Sequence, residues 1–172
     1  QQRTAKVLGK AGISLGGRMI DRWWAKALGA PEPAPQAWLN AAEALKCALS
    51  EATSAQVVLE SEAGPRPLQG SRRELNNVLE AAGLEPLLDG LLNEVEAAAR
   101  RAGESLDSID AVMAVGGGSA LPWVQQWLQR RLPKTELLVT QPLQAVVLGA
   151  LAMTPALQVM DVLQHGISLR CW

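Results

Sequence analysis

Hydrophobic positions along the chain recur with two different periods, and each change of period marks a new element. From Ala5 to Leu8 and around Ile13 the pattern is short and extended, broken by Gly9 and Gly12, and it predicts a hairpin ending in Leu15-Gly16-Gly17. From Arg18 onward Ile20, Trp23, Trp24 and Ala27 fall at helical spacing, and the helix should stop at Gly29 before Pro31, Pro33 and Pro35. Trp38, Leu39, Ala42, Leu45, Cys47 and Leu49 predict a second helix from about Gln36 to Glu51, with Cys47 buried in it as a small, inert hydrophobe. The β-branched Val57 and Val58 then mark a strand from Ala55 to Leu59.

Ser71 followed by Glu74 is a capping box, which opens a helix with Leu75, Val78 and Leu79 on its apolar face. A longer amphipathic run carries Leu84, Leu87, Leu88, Leu91, Leu92, Val95, Ala98 and Ala99. Its early Glu85 and Asp89, late Arg100 and Arg101, and terminal Gly103 suit the helix dipole and a left-handed cap. The apolar stretch Asp110 to Val115 predicts a central strand buried on both faces, ended by Gly116-Gly117-Gly118. Ser119 should cap the next helix, which carries Leu121, Val124, Trp127 and Leu128, and a strand from Thr135 to Thr140 and a helix from Leu143 to Ala152 follow. Strand, helix, strand, helix with short links predicts an α/β unit with a parallel strand pair.

Composition narrows the chemistry. The 172 residues are 48% hydrophobic and 19% charged with net charge -1, so no global electrostatic argument favours nucleic acid or an anionic membrane as partner. Cys47, Cys171 and the single His165 form neither a disulfide framework nor a zinc pattern, and no metal site is expected. His165 is also the only histidine available to a nucleophilic triad, and Gln164-His165-Gly166 has no nucleophile elbow around it. Glu94 with Glu96, and Asp107 with Asp110, read as solvated carboxylates. With no apolar stretch of signal length, a reducing, cytoplasmic setting is expected, and an N-terminus without Met reads as part of a longer chain. Six Trp stand beside no Phe and no Tyr, so tryptophan must supply the large aromatic packing.

The triglycine turn is the most informative feature. Three successive glycines remove every Cβ where a strand hands over to a helix, which allows close approach by a ligand or, equally, tight packing of the turn. Val115-Gly116-Gly117-Gly118-Ser119-Ala120-Leu121-Pro122 resembles the adenosine-binding turn of the DnaK-type heat-shock chaperones, within the actin-like ATPase superfamily. Leu15-Gly16-Gly17-Arg18-Met19-Ile20-Asp21 is similar to the Leu-Gly-Gly-x-x-Φ-Asp segment that opens the helical insertion of that family's second lobe. Glu43 to Ser50 resembles the helix that closes over adenine, with Glu43, Lys46 and Ser50 at matching spacing. Ser71-Arg72, Gln141-Pro142 and Gly149-Ala150 follow in the family's order.

The resemblance implies an actin-like (ribonuclease H-like) half-domain, a sheet flanked by helices with a separable helix-plus-strand insertion over about 17–70. Residues 1–154 would form the second lobe, with 155–172 the interdomain linker and the start of a substrate-binding domain. It implies ATP or ADP with Mg in the parent protein, and nucleoside contacts from Gly16, Gly17, Glu43, Lys46, Ser50, Gly116, Gly117, Gly118 and Ser119. Implied partners are a first lobe, a substrate-binding domain, co-chaperones and unfolded clients. The phosphate loops and catalytic Lys and Asp of the family have no counterpart here, so no catalytic residue is assigned and the chain alone should not hydrolyse ATP. Four family positions are altered: Cys47 and Ala120 replace arginines that stack on adenine, Gly118 replaces a Ser, and Leu143 an acidic residue. A degenerate scaffold binding a protein partner, or another actin-like ATPase such as a sugar kinase or filament protein, remain the alternatives, and the linker-like tail argues against the latter.

Overall fold

The computed structural model describes residues 3–61, 64–139, 148–149 and 157–160. Helix α1 (Gly17–Ala27) and helix α2 (Gln36–Glu51) form a hairpin around the proline-rich connector. Each buries one helical stripe: Ile20, Asp21, Trp24 and Ala25 on α1, and Trp38, Ala41, Ala42, Leu45, Lys46 and Leu49 on α2. Cys47 is exposed, contrary to the expected buried thiol. It stands roughly 200° round the helix from Leu45 and Leu49, so burying them turns its thiol to solvent.

Strands β2 (Ser54–Leu59) and β3 (Arg66–Ser71) pair antiparallel, from Ser54 opposite Ser71 to Leu59 opposite Arg66. The sequence pattern contains no sign of β3, because Pro67 and Gly70 are poor strand residues and only Leu68 points to the core. Gly70 belongs there because the Trp24 ring lies over it: a Cβ at 70 would sit 2.7 Å from Trp24 Cζ2. At the end of β3 the capping box forms as the pattern predicts. Ser71 Oγ accepts from the Glu74 amide at 3.3 Å, and Glu74 Oε2 accepts from the Ser71 amide at 2.8 Å, which opens α3 (Arg72–Ala81) and holds the Glu74 carboxyl below the ordinary range.

Helix α4 (Leu84–Arg101) follows. Strand β4 (Ala111–Met113) pairs parallel with β5 (Glu136–Leu138), and α5 (Pro122–Arg131) makes the connection, so the α/β unit is present. Its burial differs from expectation. Val112 and Ala114 turn inward, but Met113 is 62% and Val115 46% exposed, so β4 is covered on one face rather than two. On the inward side Val112 and Leu137 line a small void together with Leu128 of α5 and Leu132 just beyond it, and an apolar run cannot say how many faces its neighbours reach.

The expected N-terminal hairpin is also absent among the described residues. Strand β1 (Arg3–Lys6) pairs parallel with β6 (Leu157–Met160), and residues 7–16 run irregularly past α4, so close at Gly9 that a Cβ there would lie 2.4 Å from Ala98 Cβ. The helix expected after Pro142 lies outside the described residues, apart from 148–149, as do His165 and Cys171.

The core runs through the molecule. Ile20, Trp24, Leu45 and Leu49 join Leu75, Leu79, Leu84, Leu121, Trp123 and Trp127 in one cluster, so α1 and α2 contribute to the same core as α3, α4 and α5. A smaller cluster of Trp38, Ala41, Leu59 and Leu68 is confined to the α2–hairpin side. Indole N–H groups reach carboxylates at the core's edge, Trp127 Nε1 to Asp89 at 3.0 Å and Trp123 Nε1 to Glu80 at 3.5 Å, and Arg131 pairs with the same Asp89 at 3.2 Å.

Gly70→Ala should lower stability by about 1–3 kcal/mol in urea unfolding, through overpacking against Trp24. The double variant Gly70→Ala/Trp24→Leu should cost less than the sum of its parts, and strict additivity would show that the ring over Gly70 is not the cause.

Candidate functional site

Helix α1 opens at Gly16, in extended conformation (φ -145°, ψ 173°), with no side-chain cap and no acidic residue in its first turn. The space beside Gly17 is taken by Lys46: a Cβ at 17 would lie 3.4 Å from Lys46 Nζ. That ammonium donates to Asp21 Oδ1 at 2.6 Å, and both residues are buried, Asp21 at 4% and Lys46 at 8% exposure. Burial pushes the Asp21 carboxyl above its ordinary value, more than the hydrogen bond and charge of Lys46 pull it down, and the Glu43 carboxylate adds to the push.

Glu43 is exposed one turn before Lys46, and Ser50 lies one turn after it, its Oγ donating to the Lys46 carbonyl at 3.2 Å. Arg72 fixes this end of α2, donating from Nε to the Leu49 carbonyl at 2.9 Å and from Nη2 to the Ser50 carbonyl at 3.2 Å. Of the residues expected at the site, Gly17 and Lys46 are therefore in contact, with Gly16 beside them and Glu43 and Ser50 along the Lys46 face of α2. Asp21 was not among those residues. Its signal was available, since a lone Asp at 21 falls in the same apolar stripe as Ile20 and Trp24 and must find a cation there.

The triglycine turn is the second half of the candidate site. Gly116 has φ +88°, a conformation that favours glycine, and residues Gly117–Ala120 make a 3₁₀ turn. A Cβ at Gly117 or Gly118 would meet nothing within 4 Å, so neither packing nor backbone conformation asks for glycine at these two positions. Ser119 does not cap the following helix as expected. Its Oγ donates to the Gly116 carbonyl at 2.7 Å, closing the turn on itself, and α5 starts at Pro122 with Leu121 before it. Proline at the first helical position has no amide to offer, which removes one donor from that helix end. Among the described residues no hydrogen bond or ion pair joins this turn to Glu43, Lys46 or Ser50. The two halves are connected through the core, where Leu121 and Trp123 share a cluster with Ile20 and Leu45. The described residues contain no group of three His, Cys, Asp or Glu side chains placed to hold a metal ion, and no helix long and apolar enough to cross a membrane.

Short parallel strand pairs with helices packed beside them, a glycine turn between strand and helix, and an antiparallel hairpin beside two helices define an α/β piece of the actin-like ATPase class. The family model described as Hsp70 protein matches residues 30–165, and the chain belongs to the Hsp70 family. It is similar to Chaperone protein dnaK1 of Prochlorococcus marinus strain MIT 9313, 46% identical over 65 residues, which cover 37% of this chain and 9% of that protein. Chaperone protein dnaK1 of Prochlorococcus marinus subsp. pastoris strain MED4 is 31% identical over 115 residues, covering 64% of this chain and 17% of that one. The counterpart in Parasynechococcus marenigrum strain WH8102 is 41% identical over 69 residues, 40% of this chain and 10% of that protein. The chain thus spans less than a fifth of the length of these relatives.

Lys46→Met should destabilise by about 3–5 kcal/mol at neutral pH, because it strands a buried carboxylate. Adding Asp21→Asn should recover most of that loss, as read by urea midpoints. In the unaltered chain the raised Asp21 value means that the native state holds this proton more tightly than the unfolded chain. Stability should therefore fall as pH rises from the ordinary carboxylate range through the raised value, and this step should vanish in Asp21→Asn.

Proposed function

We propose that residues 1–154 act as the second lobe of a DnaK-type nucleotide-binding domain, with the insertion over about 17–70, and that 155–172 are the interdomain linker and the start of a substrate-binding domain. The lobe supplies the adenosine-side wall of an ATP cleft and passes its rotation to the linker. The observation that carries this reading is the Lys46 ammonium lodged beside Gly17 and held by Asp21, on the helix whose Glu43 and Ser50 share its spacing with the family. The open Gly117 and Gly118 support it, since glycines that packing does not require leave room for a flat base against the backbone.

In this role Asp21 orients Lys46, so that the protons not given to Asp21 point at ribose hydroxyls. Glu43 accepts from a hydroxyl, the Ser50 hydroxyl reads the edge of the base, and Gly116 to Ser119 form the opposite lip. ATP or ADP would bring its phosphates and Mg to other parts of the parent protein, where the resemblance puts the phosphate loops and the catalytic Lys and Asp. This reading assigns hydrolysis to the parent protein and not to this chain alone. A first lobe, a substrate-binding domain, co-chaperones and unfolded clients are the partners this reading assigns to the parent.

A second reading has its own observation. Lys46 is already neutralised by Asp21, and neither the exposed Cys47 nor Ala120 can stack on adenine, which is what a pseudo-ATPase scaffold used for protein interaction would show.

Calorimetry separates the two. An adenosine held on one side should bind with a Kd of about 1 mM, ADP hardly better. Restoring the stacking cation with Cys47→Arg should tighten adenosine binding by roughly 2- to 30-fold. A Cys47→Arg variant that stays folded without gaining affinity, or equal binding of inosine and adenosine, would count for the scaffold.

A further inference from the structure

Helix α1 carries two adjacent columns of side chains that the nucleoside site does not use. Arg18, Arg22 and Lys26 follow one another at intervals of four residues and are all exposed, and Met19 and Trp23 run beside them, half-buried. Met19, Arg22, Trp23 and Lys26 border a hollow of about 670 Å³ between α1, the proline-rich connector and Leu39 of α2. A smaller hollow of about 250 Å³ continues from it past Arg22 and Leu39 to Arg18, and Glu43 marks its far limit. Trp23 and Leu39 are packed against the main core, so the floor of the groove is firm.

Positive charge predominates on the α1 side of the groove, while Glu32 of the connector and Glu43 of α2 line its opposite side. Like charges four residues apart repel on a helix, and the basic column begins at a helix N-terminus that is itself positive and has no acid in its first turn. Among the described residues Arg18 and Arg22 have no carboxylate partner. Lys26 has one, Glu32 at 3.5 Å, with both side chains more than 70% exposed (72% and 81%), which is a weak and exchangeable pair.

We infer that this groove docks an acidic amphipathic helix of a partner protein. Three cations about 6 Å apart along the axis meet carboxylates repeated every fourth residue on a helix of the same rise. The apolar column beside them decides the form of the partner. A strand sends neighbouring residues to opposite faces and so offers one column at a time, whereas a helix offers a carboxylate column and a leucine column side by side on one face. The charges steer and orient the partner, and Met19, Trp23 and Leu39 take its apolar residues out of water.

The test uses the full chain and a fluorescein-labelled, stapled helical peptide with Glu at three successive four-residue intervals beside a column of Leu. Polarisation titrations should show saturable binding that weakens with salt, and the Trp23 indole N–H resonance should shift on addition of unlabelled peptide. Arg22→Glu and Lys26→Glu, both at exposed positions and checked for unchanged circular dichroism, should each weaken binding by about tenfold. A Lys-for-Glu peptide should not bind, and a Ser-for-Leu peptide should bind about tenfold more weakly. Equal binding of the Leu and Ser peptides would reduce the site to a diffuse positive field and overturn the inference, as would indifference to both charge reversals. Self-association of the chain that the peptide reverses and Arg22→Glu abolishes would assign the groove to a second copy, and would overturn it too.

Discussion

An ammonium group cannot leave water without a carboxylate to meet it, and this requirement sets how α1 and α2 lie against each other. Lys46 and Asp21 are the buried charged residues of the described chain, 2.6 Å apart across the helix pair. Each alone would be strongly destabilising in that position, and together they allow one register of the two helices. That register puts Trp24 over Gly70, Leu45 and Leu49 into the core, and the lysine ammonium beside Gly17. The geometry around Gly17 and the Lys46 face of α2 therefore rests on a pair that forms within the fold itself.

Tryptophan imposes a second constraint. With no Phe and no Tyr, the chain fills its large aromatic positions with a side chain that brings an N–H into the core. Trp123 and Trp127 solve this at the edge, through Glu80 of α3 and Asp89 of α4, and so fasten α5 to both helices. Among the described residues Trp24 Nε1 has no such partner, and that ring is held by packing alone. Fastening α5 also positions the triglycine turn that precedes it, so among the described residues the two halves of the candidate site are held in relation by core contacts and not by a direct bond between them.

These two constraints explain which features could be read from the residues. Local chemistry was legible: the 36–51 helix and its neighbours follow from a 3.6-residue period, and the capping box at Ser71 and Glu74 from two side chains three residues apart. What failed was non-local. Strand β3 has little propensity of its own and exists because β2 needs an antiparallel partner; β1 finds its partner more than 150 positions away, at Leu157–Met160, rather than across a hairpin. Asp21 stands out as a lone acid in an apolar stripe, but its cation partner is 25 positions distant and has no local mark.

The amino-acid sequence by itself determined the helices, the glycine turn and the order of motifs that places the chain among the Hsp70 proteins, because periodicity, capping and motif spacing are properties of neighbouring residues. Only the tertiary structure decided that Lys46 is a buried, paired cation, that Cys47 faces solvent, that Ser119 closes its own turn, and that β4 is covered on one face. Burial and charge pairing depend on which distant surface arrives opposite a residue, and that surface is chosen by the packing of the whole core.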